Sequence, residues 1–262
     1  AAAIPFPANV QVGSRAEITD TRKMYNLKGA DTVTFEDDFT SYANTTAGDL
    51  AYPTTNTTYM RVNPTTDVLD WNIANSSATG SKAISHDLGF TLGEKFVVRA
   101  KFTIDNYVNS NQGQHIQMEI GLSSTPQTTN GDSDQNELAL KATLGNAFEV
   151  FYTRNRTGAT AGGTTFATVP TARTYYIEII RSSATAWNIE LFSDADYSIS
   201  LESEAGATIS SSLSGLQYFK IMNSALTQVS GNHVMNGTLT DIEVYNGITS
   251  VSTSNTWQEI GT

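Results

Sequence analysis

The sequence predicts an all-β fold, a two-sheet antiparallel jelly-roll β-sandwich, and three observations carry that prediction. Residues 175–192, YYIEIIRSSATAWNIELF, alternate twice: Ile177 and Ile179 fall on one face, Tyr176 and Glu178 on the other. After a small-residue turn at 182–185, Trp187, Ile189 and Leu191 again share a face. Period-two alternation rich in β-branched and aromatic residues is the pattern of a half-buried hairpin. The same alternation recurs at 96–104, where Val98, Ala100, Phe102 and Ile104 oppose Arg99, Lys101 and Thr103. No stretch of about twelve residues holds a helical period, so the repeated short strands point to a sandwich or barrel.

Taken in order, residues 1–12 carry Pro5 and Pro7 without periodicity and read as an extended arm. Residues 13–29, GSRAEITDTRKMYNLKG, read as two short strands around a turn near Asp20. The main domain is expected to span 30–247. Its first strand is TVTFEDDF at 32–39, followed by a Thr/Asn/Ser/Ala-rich stretch to about Tyr59. Further strands are expected at 59–62, 68–73, 83–88, 96–104, 115–122, 137–143, 147–153, 215–222 and 237–245. The polar segment 123–136 and the Gly-rich segment 157–165 read as loops. Residues 248–262 are expected to join 13–29 in a small β base outside the sandwich.

The chain has 262 residues and a formal net charge of −11, with only 16% charged residues. Such an acidic chain repels phosphate backbones, which argues against nucleic acid as a partner. It contains no cysteine, so disulfides, thiolate metal sites and cysteine catalysis are excluded. No apolar run approaches the roughly 18 residues that span a bilayer as a helix. The opening AAAIPFPANV has no charged segment leading into an apolar run, so no signal peptide is expected in it.

The segments FEDDF, IEIIRSSATAWNIELFSD and GTLTDIEVYNG resemble the concanavalin A-like (laminin G-like) jelly-roll superfamily, most closely its marine archaeal and viral versions. The resemblance covers about 31–247 and implies two antiparallel sheets, one convex and one concave, with loops at the rim of the concave face. Members bind glycans or proteins, or cleave polysaccharides, and fold alone does not choose among these. A second resemblance lies at the ends. GSRAEITDTRKMYNLKG and TWQEIGT are similar to two halves of a short motif of phage and archaeal-virus virion proteins, here split by the whole jelly roll.

Glycoside cleavage needs two carboxylates flanking the scissile bond. Glycosidases of the superfamily carry them as a glutamate-x-aspartate-x-x-glutamate run, and Glu119 in IQMEIGL stands without one. A lyase-like set is better represented: His115 and Gln117 share a strand face with Glu119, and Tyr218 shares one with Lys220. The related lyase family's arginine-rich strand and second tyrosine are missing, so no catalytic residue is assigned. Exposed aromatics stack on sugar rings. Tyr152, Tyr176 and Tyr218 therefore join His115, Gln117, Glu119 and Lys220 as candidate ligand-binding residues. Asp132, Asp134 and Asn136 alternate in NGDSDQN and form a candidate Ca²⁺ loop, with Asp194 and Asp196 a weaker one. No other cofactor is called for.

The expected function is a non-enzymatic virion or particle-surface structural protein, of decoration, spike or tail-fibre type. Its exposed jelly roll would meet host glycans, and its partners would be copies of itself or other virion proteins. Its location would be the virion or another extracellular surface. The alternatives are a secreted lyase-like enzyme and a cell-surface or S-layer-like module.

Overall fold

A computed structural model describes residues 11–18, 23–28, 30–54, 57–58, 60–74, 82–108, 116–126, 136–145, 148–157, 160–210, 212–225, 234–252 and 256–261. In chain order its elements are β1 (Arg15–Ile18), β2 (Lys23–Lys28), β3 (Phe35–Asp37), α1 (Thr45–Ala51), β4 (Met60–Asn63), β5 (Val68–Ala74) and β6 (Lys82–Asp87). β7 (Phe96–Val108), β8 (Ile116–Ser123), β9 (Glu137–Gly145), β10 (Phe148–Thr157), β11 (Thr160–Gly162) and β12 (Thr174–Arg181) follow. The chain continues through β13 (Trp187–Phe192), β14 (Ser200–Ala205), β15 (Tyr218–Ala225), β16 (Val234–Asn246) and β17 (Thr256–Gly261).

Two compact units result, one formed by Ala1–Val33 with Ser250–Thr262, the other by Thr34–Thr249. In the smaller, β2 pairs antiparallel with β1 and with β17, so strands from the two ends of the chain share one three-stranded sheet. Trp257 stands opposite Leu27 in that register, and Asp31 N donates to the Ser252 carbonyl at 2.8 Å. The packing of Trp257 over Ile18, Met24 or Tyr25, expected of this base, concerns side chains outside the described ones.

The larger unit is the expected two-sheet antiparallel sandwich. A six-stranded sheet runs β11-β10-β9-β8-β15-β6, and an eight-stranded one β14-β13-β12-β7-β16-β5-β4 with β3 on β16. The inner strands of both sheets give alternate residues to one shared core. Ile120, Leu140, Phe151 and Ile221 come from the first sheet, and Phe102, Ile177, Ile189 and Leu239 from the second. The β12–β13 hairpin forms in the expected register, with Ile177 opposite Leu191 and Ile179 opposite Ile189. Buried Arg181 closes its turn by donating to the carbonyls of Ser183, Ala184 and Leu213. Trp187 is buried, and its indole N–H donates to the Ala207 carbonyl at 3.1 Å.

Three local features differ from the sequence reading. The stretch after Phe39 contains a seven-residue helix, α1, N-capped by Asn44, whose Oδ1 accepts from Ala47 N at 3.0 Å. It is too short to show an apolar period. The Gly-rich segment includes a three-residue strand, β11, at the edge of the six-stranded sheet. β14, at an edge of the eight-stranded sheet, reads SLESEA and is polar because an edge strand packs little of itself into the core.

Candidate functional site

The outward face of the six-stranded sheet follows from the same alternation that builds the core. In β9, Leu138, Leu140 and Ala142 enter the core, which turns Glu137 and Lys141 outward. In β8, Met118, Ile120 and Leu122 enter the core and Glu119 faces out. Register places Glu119 opposite Lys141, and Lys220 of β15 opposite Gly121. Gly121 cannot carry a side chain here: a Cβ would overlap the Leu138 carbonyl oxygen and come 2.6 Å from Ala139 Cα.

Over that bare stretch five charged side chains meet. Lys220 Nζ lies 2.6 Å from Glu137 Oε2 and 3.7 Å from Glu119 Oε2. Lys141 Nζ lies 3.0 Å from Glu119 Oε1. Arg154 Nε lies 2.7 Å from Glu137 Oε1 and 3.5 Å from Glu119 Oε1. Glu119, Glu137, Lys141 and Lys220 are all buried, Lys220 completely. Burial pushes the Glu137 carboxyl up, but Lys220 and Arg154 outweigh it and hold its pKa at about 2. Arg154 is raised above its ordinary value: burial works to lower it, and the two carboxylates overcome that. Glu119 Oε2 is buried and makes no hydrogen bond, only the longer ionic contact to Lys220.

Of the candidate ligand-binding residues, Glu119, Tyr152, Tyr218 and Lys220 lie on this one face. Tyr152 is half-buried, with Lys141 Nζ 5.4 Å from its ring centroid. Tyr218, also half-buried, stands opposite Ser123 and Asp87. Gln117 occupies the same row of β8, opposite Thr143 and Ser224, and His115 lies outside the described residues. Tyr176 does not join them. It belongs to the eight-stranded sheet, where its ring meets Tyr197 edge-on at 5.9 Å. Glu137, Lys141 and Arg154 are the members that sequence reasoning missed. The visible signal was ELALK, whose charges share one face of a strand, but naming their partners required the strand order.

Asp132 and Asp134 lie outside the described residues. Asn136 ties loops together: its side-chain amide donates to the Ser214 carbonyl at 2.8 Å and its backbone N–H to Ser124 Oγ at 3.1 Å. Asp194 accepts from Ser198 and Ile199, which is the work of a turn residue. Elsewhere a recess of about 500 Å³ is lined by Glu36, Asp37, Asp38, Asp241 and Glu243 among others. Asp37 Oδ2 there accepts from both Tyr42 and Tyr52, at 2.6 and 2.8 Å. Burial, seconded by that carboxylate, raises both phenols well above their ordinary pKa. Among the described residues, no group of three or more His, Cys, Asp or Glu is arranged to hold a metal ion.

Two packed antiparallel sheets of this order define a jelly-roll β-sandwich of the kind found in lectins and glucanases, and the structural comparisons agree. A glycoside hydrolase family protein from Mycobacterium thermorestibile matches with a TM-score of 0.55 at 8% identity, over 81% of this chain and 100% of that one. The winged bean acidic lectin, complexed with methyl-α-D-galactose, matches at 0.53 and 10% identity, over 86% and 98%. The CBM2 module of the evolved Dit protein of Lactobacillus casei BL23 phage J-1 matches at 0.50 and 13% identity, over 85% and 99%. No protein-family model and no curated protein matches the chain. At these identities the likeness is one of fold.

Proposed function

We propose that this chain is a non-enzymatic glycan-binding protein of a virion or other particle surface, which meets its ligand on the outward face of the six-stranded sheet. The observation that carries this reading is the state of that face's two carboxylates. Glu119 and Glu137 are buried and each is ion-paired to cations. A carboxyl held near pKa 2 cannot serve as the protonated acid that glycoside cleavage needs at neutral pH. Lys220, a member of the lyase-like set, is completely buried against the same carboxylates and is not presented to a substrate. What the face does offer is two half-buried phenols, Tyr152 and Tyr218, on a rigid charged floor. Such rings bring an apolar face for stacking and a polar tip for a sugar hydroxyl.

The particle-surface part of the proposal draws support from the ends of the chain. The segments that resemble a virion-protein motif contain β2 and β17, which pair with each other. That sheet would be the base joining the chain to its own copies or to other virion proteins, with 1–12 reaching onto a neighbour. A jelly-roll module also occurs in a phage Dit protein, which fits such a placement. The test is retention of the full chain on immobilised neutral and uronate glycans, with parallel detection of the chain in purified particles. Retention on at least one glycan together with presence in particles is expected. Absence of retention on every glycan sinks the binding reading, and absence from particles sinks the location.

A further inference from the structure

The charged cluster on the six-stranded sheet does not balance. Its five members bring three cations, Lys141, Arg154 and Lys220, against two carboxylates, Glu119 and Glu137. Each carboxylate already has a lysine, Glu137 with Lys220 at 2.6 Å and Glu119 with Lys141 at 3.0 Å. Arg154 shares both and is the cation in excess. It is also the member that solvent reaches: its side chain is 16% exposed, against 6% or less for the other four. Buried charges in folded proteins are paired, so a surplus cation at the open side of a buried network is suited to one more anion.

Register explains why Arg154 lies there. It stands opposite Ala139, and Ala139 opposite Gly121. One methyl group and one bare backbone position lie beside it, so its side chain can cross them and bring Nε to carboxylates on both β9 and β8. A guanidinium has five N–H donors in a planar fork, four of them on its terminal nitrogens. Neither terminal nitrogen of Arg154 is buried without a partner, and among the described residues Arg154 meets no carboxylate besides these two. Tyr152 lies two residues away on the same face of β10, roughly 6–7 Å along the strand. A ring stacked on Tyr152 therefore holds its own charged substituent within reach of that fork.

We propose, on the reading of this face as a glycan site, that its ligand is an acidic glycan. One sugar ring stacks on Tyr152, and its anionic group, a carboxylate or a sulfate ester, is held by the terminal nitrogens of Arg154. The chain carries a net charge of −11, which repels such a ligand in bulk, so its capture depends on this local surplus.

Calorimetric titration of the full chain tests this, with tetragalacturonate, its methyl ester, tetramannuronate, κ-carrageenan tetrasaccharide and neutral cellotetraose. At least one acidic oligosaccharide is expected to bind more tightly than cellotetraose, with an affinity that falls as KCl is raised. Arg154→Gln should weaken that binding about tenfold or more and leave any binding of the neutral sugars unchanged. Arg154→Lys keeps the charge beside Glu137 and Glu119 but loses the fork. It should melt with the parent and still bind the acidic sugar several-fold more weakly. Uronate binding abolished by methyl esterification identifies a carboxylate, and binding of carrageenan alone identifies a sulfate ester. Acidic binding untouched by both Arg154 variants overturns the proposal, as does equal loss of neutral and acidic binding in Arg154→Gln. Binding of neutral sugars alone, lost in Tyr152→Ala, overturns it too while leaving the face a glycan site. Absence of binding by every sugar overturns both.

Discussion

At the scale of the residue, the decisive group is Lys220, whose ammonium is completely buried and bridges two carboxylates from neighbouring strands. Removing one partner from a buried ion network leaves the others uncompensated, which typically costs roughly 3–5 kcal/mol. Lys220→Met should therefore lower the unfolding free energy by about that much in urea titration; a change within about 0.5 kcal/mol would mean that the network is dispensable. The same network makes stability depend on acid. Glu137 has a folded pKa of about 2 against an ordinary 4.5, so the unfolded chain takes up its proton first. Its contribution is complete above about pH 4.5 and is lost as pH falls towards 2, about 3 kcal/mol in all. Glu137→Gln should flatten the stability curve across that window, and an unchanged slope would assign the acid sensitivity elsewhere. Glu119 and Lys220 were legible as candidates because they break an otherwise apolar alternation in IQMEIGL and LQYFKIM. Their roles as mutual counter-ions were not legible, since that depends on β15 lying beside β8 although about a hundred residues separate them.

At the scale of the element, strands were legible wherever both faces of the alternation were chemically distinct. The β12–β13 hairpin and β7 are of this kind, because one face enters the core and the other stays polar. Elements that bury little gave no such signal: β11 and β14 lie at sheet edges, and α1 buries only Gly48. The strand pairing itself sets its own prediction. Gly121 lies where β8 approaches β9 so closely that a Cβ has no room against backbone atoms. Gly121→Ala should disrupt the local pairing and cost at least about 1–3 kcal/mol, measured as a lowered midpoint of thermal unfolding. An unshifted midpoint would show that the sheet yields there. Trp187→Ala should cost roughly 3–5 kcal/mol, because it empties a buried site and orphans the Ala207 carbonyl.

At the scale of the whole molecule, two compact units imply separable stability. Deleting Ser250–Thr262 removes β17 from the three-stranded sheet and touches no strand of the sandwich. The near-complete β circular dichroism and cooperative melting of Thr34–Thr249 should survive that deletion, and global unfolding would contradict the division. The central claim is that the sandwich binds glycan on a sheet face whose carboxylates are locked into ion pairs and perform no chemistry. Prolonged incubation of the full chain with each glycan that retains it, followed by product analysis and by calorimetric titration of the Tyr152→Ala and Tyr218→Ala variants, tests this most directly. The account predicts intact glycan and a loss of affinity in both variants, about 1–3 kcal/mol for each stacked ring. Cleavage products from the parent that vanish in Tyr218→Phe, or affinity untouched by either alanine variant, would contradict it.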